Sequence, residues 1–168
     1  MKTQLIAPLA ALFLILSAGA VLAEQKPGHM EGHKHAAEAA AESAYSDVKL
    51  HQACLHCGMD RDKFAHTRML ISYSDGSSAG VCSIHCTVTE LKASRGKSVK
   101  SVEVADLNSK KLVDAEKATW VIGGSKKGVM TKTAKWAFAK KDDAALFIRK
   151  NGGKLADYKE ALALAESE

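Results

Sequence analysis

The sequence predicts an α+β protein made of two small hairpin-plus-helix units, the first built around a treble-clef-like metal knuckle. Three observations carry this. The four cysteines fall into two pairs, in Cys54-Leu55-His56-Cys57-Gly58-Met59 and Cys82-Ser83-Ile84-His85-Cys86. Between the pairs runs an alternating segment broken by a polar turn, and after the second pair the apolar spacing becomes helical. The same order of strands followed by a helix returns in the second half of the chain, as a pseudo-repeat of parts without a residue-level repeat.

Along the chain, Met1 to Ala23 has the form of a secretory signal: Lys2, an apolar run from Leu5 to Leu16, and small residues ending Val21-Leu22-Ala23 before Glu24. The apolar stretch approaches spanning length, but Pro8 and the small-residue end favour cleavage over a retained anchor. No cysteine follows the run to accept a lipid. The expectation is a periplasmic protein with no stable membrane anchor after cleavage. Residues 24–47 form a flexible His/Ala-rich leader with few large apolar residues to bury, a short helix over Ala36 to Ala44, and a metal-attracting tract of His29, Met30, His33 and His35. Residues 48–168 form the folded, metal-binding domain.

Within that domain Thr67 to Tyr73 is strand-like, Asp75-Gly76-Ser77-Ser78 is a turn, and Ala79 to Ser83 is strand-like again. Ile84 to Ser94 has helical spacing with Val88 and Leu91 on one side, and it stops at Arg95-Gly96. Val99 to Leu107 alternates like a strand, with Val102 and Val104 opposite Ser101 and Glu103. In the second unit Ala118 to Ile122 and Thr133 to Ala139 are strands, the latter with Trp136 and Phe138 on one face. Asp142 to Lys150 is a helix capped by Asp142 or Asp143 and closed by Asn151-Gly152-Gly153, and the tail from Leu155 to Ala165 ends in another.

Composition excludes more than it names. Hydrophobic residues at 46% and charged residues at 26% belong to a chain that folds. The net charge of +5 is carried by scattered lysines and arginines without interleaved aromatics, so no nucleic-acid partner is expected, and a solvated basic face facing an acidic partner is the better account. There is no glycine-rich phosphate loop and no nucleophile triad.

The cysteine pairs carry the chemistry. A tight turn at Gly58 lets two thiolates converge on one ion, and a helix start at the second pair helps stabilise thiolate charge. The surrounding residues are soft: Met59, His51, His56, His66 and His85 lie close in sequence, and Met130 adds a thioether in a glycine-containing loop. Copper(I), which takes thiolate, thioether and imidazole at low coordination number, suits that set. Zinc held by four thiolates, two disulfides in an oxidising compartment, and a thiol oxidoreductase using Cys54 and Cys57 are the alternatives.

The ordered set of features resembles the NosL family of exported copper-binding accessory proteins for nitrous oxide reductase, with a YHS/TRASH-like cysteine knuckle. The resemblance runs from about Leu50 to the C-terminus and rests on Cys54-Leu-His-Cys-Gly-Met59, on Asp114-Ala-Glu-Lys-Ala118 leading to Trp120-Val-Ile-Gly-Gly124, on Gly128-Val-Met130, on Ala137-Phe138, and on Asn151-Gly-Gly-Lys154. It implies a non-catalytic copper(I) metallochaperone that delivers its ion to a copper-accepting enzyme, nitrous oxide reductase by resemblance. Met130 then stands where the family places its methionine ligand, beside Cys54, Cys57 and Met59. The metal set expected from residues and resemblance together is Cys54, Cys57, Met59, Cys82, His85, Cys86 and Met130, with zinc the alternative metal at the knuckle. Two departures are the absent lipid-anchoring cysteine and the Cys82-x-x-His85-Cys86 element, which is more like the second half of a TRASH or YHS knuckle.

Overall fold

The computed structural model describes residues 45–168. The signal segment, the His29 to His35 tract and the short helix over Ala36 to Ala44 lie outside the described residues. Those described form a mixed α/β fold with two antiparallel sheets and four helices.

The chain enters through a short helix α1 (Ser46–Leu50), passes the first cysteine pair, and forms β1 (Met69–Tyr73) and β2 (Ser78–Val81). Helix α2 (Ile84–Ala93) follows, then β3 (Val99–Ala105) and β4 (Leu112–Asp114). These strands make one sheet in the order β2-β1-β3-β4. Met69 pairs with Val81 on one side and Val104 on the other, and Ile71 with Ala79 and Val102. The period of two buries Met69, Ile71 and Tyr73 and leaves Leu70 and Ser72 half-buried.

The second sheet has the order β6-β5-β7, from β5 (Thr119–Ile122), β6 (Lys135–Phe138) and β7 (Lys154–Ala156). Strands β5 and β6 are buried on both faces, which is why β6 reads as a continuous apolar run from Trp136, while β7 at the edge is largely exposed. Trp120, Ile122 and Ala137 join the main core with Met69, Val81 and Val88, and with Ala161 and Ala165 of α4 (Tyr158–Glu166). Val121, Trp136 and Phe138 face the other way, onto Ala144, Phe147 and Ile148 of α3 (Lys141–Asn151). The sheets are tied where Leu107 N–H donates to Ala137 O and Ala139 N–H to Asp106 Oδ1, both at 2.9 Å.

Three local expectations are corrected. Strands β4 and β7 are three residues each, too short for alternation to reveal them. Helix α3 starts after Lys140 with no side-chain cap; Asp142 and Asp143 lie in its first turn, where their charge favours the helix dipole. The capping side chain belongs instead to α4, where Asp157 accepts from Glu160 N–H and Glu160 accepts from Asp157 N–H.

The N-terminal part is locked by a buried ionic network. Asp47 on α1 is 7% exposed, and Arg61 and Arg68, which bracket it, are 0% and 1% exposed. Arg61 donates to Asp47 Oδ2 at 2.8 Å and to the carbonyls of His51, Met69 and Val81 at 2.6, 3.0 and 3.2 Å. Arg68 donates to Asp47 Oδ1 at 2.9 Å and to the carbonyls of Ala65 and Lys110 at 2.8 and 2.7 Å. Arg61 lies flat over Gly80: a Cβ added there would come within 2.6 Å of the guanidinium and 2.3 Å of His51 Cβ. Glycine is the residue that permits this approach.

Burial opposes ionisation of Asp47, but the hydrogen bonds and charges of Arg68 and then Arg61 outweigh it and hold its pKa below the usual carboxylate value. A group depressed in this way stabilises the fold at every pH above its unfolded value of about 4, and that stability is lost as pH falls from there through the native value. Asp47→Asn, which leaves two buried guanidiniums short of their counter-charge, is expected to cost about 3 kcal/mol in urea unfolding at pH 7. Below pH about 4 the penalty should shrink, because the carboxyl of the unfolded wild type takes up a proton first and the native one follows only as pH falls through its depressed value. A penalty independent of pH would contradict the assignment.

Candidate metal centre

The first pair is shaped by backbone geometry. Cys54 N–H donates to Met59 O at 2.8 Å and Gly58 N–H returns to Cys54 O at 2.9 Å, closing a tight turn around the thiols. Gly58 sits at φ 70 with nothing within 4 Å of where a Cβ would be, so its role is the left-handed backbone and not close packing. The turn docks on the edge strand β2 through Leu55 N–H to Gly80 O at 3.1 Å. Arg61, bonded to Val81 O beside Cys82, holds the same strand from behind.

The second pair comes from the end of β2 and the start of α2. Cys82 is held by Thr67, whose hydroxyl donates to its carbonyl at 2.9 Å, and Ser83 is the N-cap position of α2. Cys86 follows in the first turn of the helix, pointing to the same place as Cys82. Their Sγ atoms are 3.8 Å apart, and Cys82 Sγ is 3.5 Å from Cys57 Sγ.

All four Sγ atoms, those of Cys54, Cys57, Cys82 and Cys86, lie within 4.8 Å of one another. All four are free thiols, and the closest pairs are well beyond the ~2.05 Å of a disulfide bond. Four thiolates around an ion at ~2.3 Å in tetrahedral geometry would stand about 3.8 Å apart, close to the 3.8 Å of Cys82–Cys86 and the 3.5 Å of Cys82–Cys57. Cys54, Cys82 and Cys86 are buried; Cys57 is exposed.

The thiols are electrostatically unequal. Cys82 is drawn down to about 5, first through the hydrogen bond it shares with Cys86; burial opposes this, and hydrogen bonds with Cys57, Ser83 and Cys54 add to the lowering. Cys86, on the other side of that bond and buried, is pushed up. Burial also raises Cys57, against a hydrogen bond from the Met59 backbone. Hydrogen bonding within the group therefore favours ionisation at Cys82, next to the helix N-terminus, over its neighbours. Such a cluster is ready to exchange protons for a soft cation.

The other expected ligands are placed differently. His85, half-buried on α2, is not one of the converging groups. Met59 is half-buried and packs against the main core beside the knuckle. Met130 lies on the segment between β5 and β6, 42% exposed and with the left-handed φ of 53, rare for a side chain of its size. That segment is pinned by Glu168, whose carboxylate accepts from the backbone N–H groups of Lys132 and Thr133 and from Lys135 Nζ. Burial opposes ionisation of Glu168, but Thr131, Lys135 and Thr133 pull it down to about 2. His51 bonds Ser78 Oγ at 2.8 Å, and His66 stacks on Trp136 at 6.0 Å, with burial and then the charges of Lys126 and Lys110 lowering its pKa.

The thiol assignment is open to a direct check. In reduced, metal-free protein, ultraviolet thiolate absorbance should show about one thiolate per chain forming between about pH 4 and 7, well below an ordinary thiol. Cys82→Ser should remove that step; its persistence would place the acidic thiol elsewhere.

Comparison with known proteins agrees with this architecture. No curated protein matches the sequence. Among solved structures, the crystal structure of the copper chaperone NosL from Shewanella denitrificans is similar, with a TM-score of 0.51 and 26% sequence identity over 66% of this chain and 89% of that one. The NosL family profile matches residues 45–163, from the start of α1 into α4. With a match over most of its length, this chain belongs to the NosL family.

Proposed function

We propose that the protein is a periplasmic copper(I) chaperone, which takes up one ion on its cysteine cluster and passes it by ligand exchange to a copper enzyme, nitrous oxide reductase by family resemblance. The observation that carries this is the asymmetry of the four thiols: three are buried and one, Cys57, is open to solvent. A purely structural site gains from enclosing every ligand. A carrier needs one ligand that an incoming thiolate or thioether can replace while the others keep hold.

The residues divide the work accordingly. Cys82, as the first thiolate, attracts the cation, and Cys54 and Cys86 complete a buried hold on it. Cys57 is the exchangeable ligand facing the acceptor. Met59, packed beside the knuckle, and Met130, exposed on its loop, are the proposed thioether ligands that join during transfer, with His85 on α2 as the reserve imidazole. Soft sulfur donors favour copper(I) over hard cations, and no oxidation or reduction is needed for the exchange. Membership of the NosL family and likeness to a copper chaperone support the choice of cargo. No helix among the described residues is long and apolar enough to cross a membrane; export rests on the signal-like segment 1–23, with release into the periplasm after cleavage.

A second reading is a structural zinc site. It is favoured by the sulfur spacings of 3.5 and 3.8 Å, which lie close to those of a tetrahedral four-thiolate shell. In that case the chain would be an interaction module held together by its metal.

Copper(I) titration of reduced mature protein against a competing chelator distinguishes the two. About one tightly bound ion per chain is expected, weakened about tenfold or more by Cys57→Ser and measurably by Met130→Ala. Zinc that copper(I) does not displace, or no copper(I) uptake at sub-micromolar concentration, would overturn the chaperone reading.

A further inference from the structure

His56 lies between the two cysteines of the knuckle yet is not one of the four converging groups. Its ring points the other way, with Nε2 2.8 Å from Glu90 Oε2. Glu90 is buried on α2, one turn beyond Cys86, and its second oxygen accepts from the Tyr73 hydroxyl of β1 at 2.5 Å. Tyr73 in turn lies 2.9 Å from Ser94 Oγ, and Ser94 donates to the backbone carbonyl of Glu90, so the phenol that holds the carboxylate is itself tied to α2.

This contact spans the site. Cys54, Leu55 and Gly58 supply the backbone bonds that close the knuckle and dock it on β2, while the tip bearing Cys57 reaches α2 through the imidazole of His56. Helix α2 carries Cys86 and starts beside Cys82, so the His56–Glu90 bond joins the two halves of the thiol cluster at the side where the cluster opens. The Glu90 carboxylate is buried while His56 reaches it from the solvent side, so losing the imidazole leaves a buried acceptor short of one donor. Residues that fix ligands from behind change metal affinity by about 10- to 100-fold in other metal sites.

We propose that His56 and Glu90 form a latch that positions Cys57 over the three buried thiols and slows release of the ion. Neither residue is a ligand in this account. Breaking the bond frees the knuckle tip, so that Cys57 leaves the shell more often and a competing ligand enters faster. The latch rests on the chaperone reading only through the thiol cluster.

The test is the rate at which copper(I)-loaded protein gives up its ion to excess competing chelator, alongside thermal unfolding of the same variants without metal. His56→Ala should release copper about tenfold faster while its metal-free unfolding temperature stays within a few degrees of wild type. His56→Gln, whose side-chain amide can reach the same carboxylate, should recover most of the wild-type rate. Glu90→Gln supplies a second variant that keeps the shape of the buried side chain. Release at the wild-type rate from His56→Ala would overturn the latch, as would a fall in metal-free stability with no change in rate. If wild-type protein takes up no copper(I), the chaperone reading fails; the same comparison with zinc(II) then decides the latch by itself.

Discussion

A carboxylate taken out of water keeps its charge only where opposite charge and hydrogen-bond donors replace its hydration shell. Asp47 obtains both from Arg61 and Arg68, and the rest of the site depends on that arrangement. The same two guanidiniums reach carbonyls in α1, β1, the β2 edge and the loop before β4, so one buried triad fixes the entry of the chain, the knuckle and the first sheet relative to one another. Removing any member leaves the others buried without their partner. The knuckle turn, whose Leu55 is exposed, has little apolar area of its own and depends on such a frame.

The second sheet serves the first from a distance. Trp120 and Trp136 point to opposite faces of neighbouring strands, one filling the main core and one covering α3. The segment between β5 and β6 is thereby carried on a rigid base and further tied by Glu168. Met130 is thus exposed on a segment that Glu168 ties down, as the proposed role of a soft donor in transfer would require.

What could be read in the sequence was local. The cysteine pairs, the hairpin and the helix at Ile84 are set by spacing within a few residues, and the structure places them as expected. The α+β class follows from that order, and the two faces of Trp136 and Ala137 follow from strand alternation. The network around Asp47 was not legible: Asp60-Arg61-Asp62 has the look of a solvated charged turn, and only tertiary folding buries Arg61 while leaving its acidic neighbours outside. The same holds for His56, which in sequence looks like one more soft donor between two cysteines. Its partner Glu90 is on another element, and nothing in the spacing points to it. Strands β4 and β7 were missed because three residues cannot show a period.

Function in this protein comes from an imbalance between holding and releasing. In the proposed account three buried thiols, Cys54, Cys82 and Cys86, would favour retention, and the single exposed thiol, Cys57, would give an acceptor its entry. X-ray absorption at the copper edge, on reduced protein loaded with one equivalent of copper(I), examines this most directly. A first shell made of sulfur, reduced in sulfur number by Cys57→Ser and by Cys82→Ser, is the predicted result. A shell dominated by nitrogen or oxygen, unchanged in either variant, would show that the ion sits elsewhere and would contradict the account.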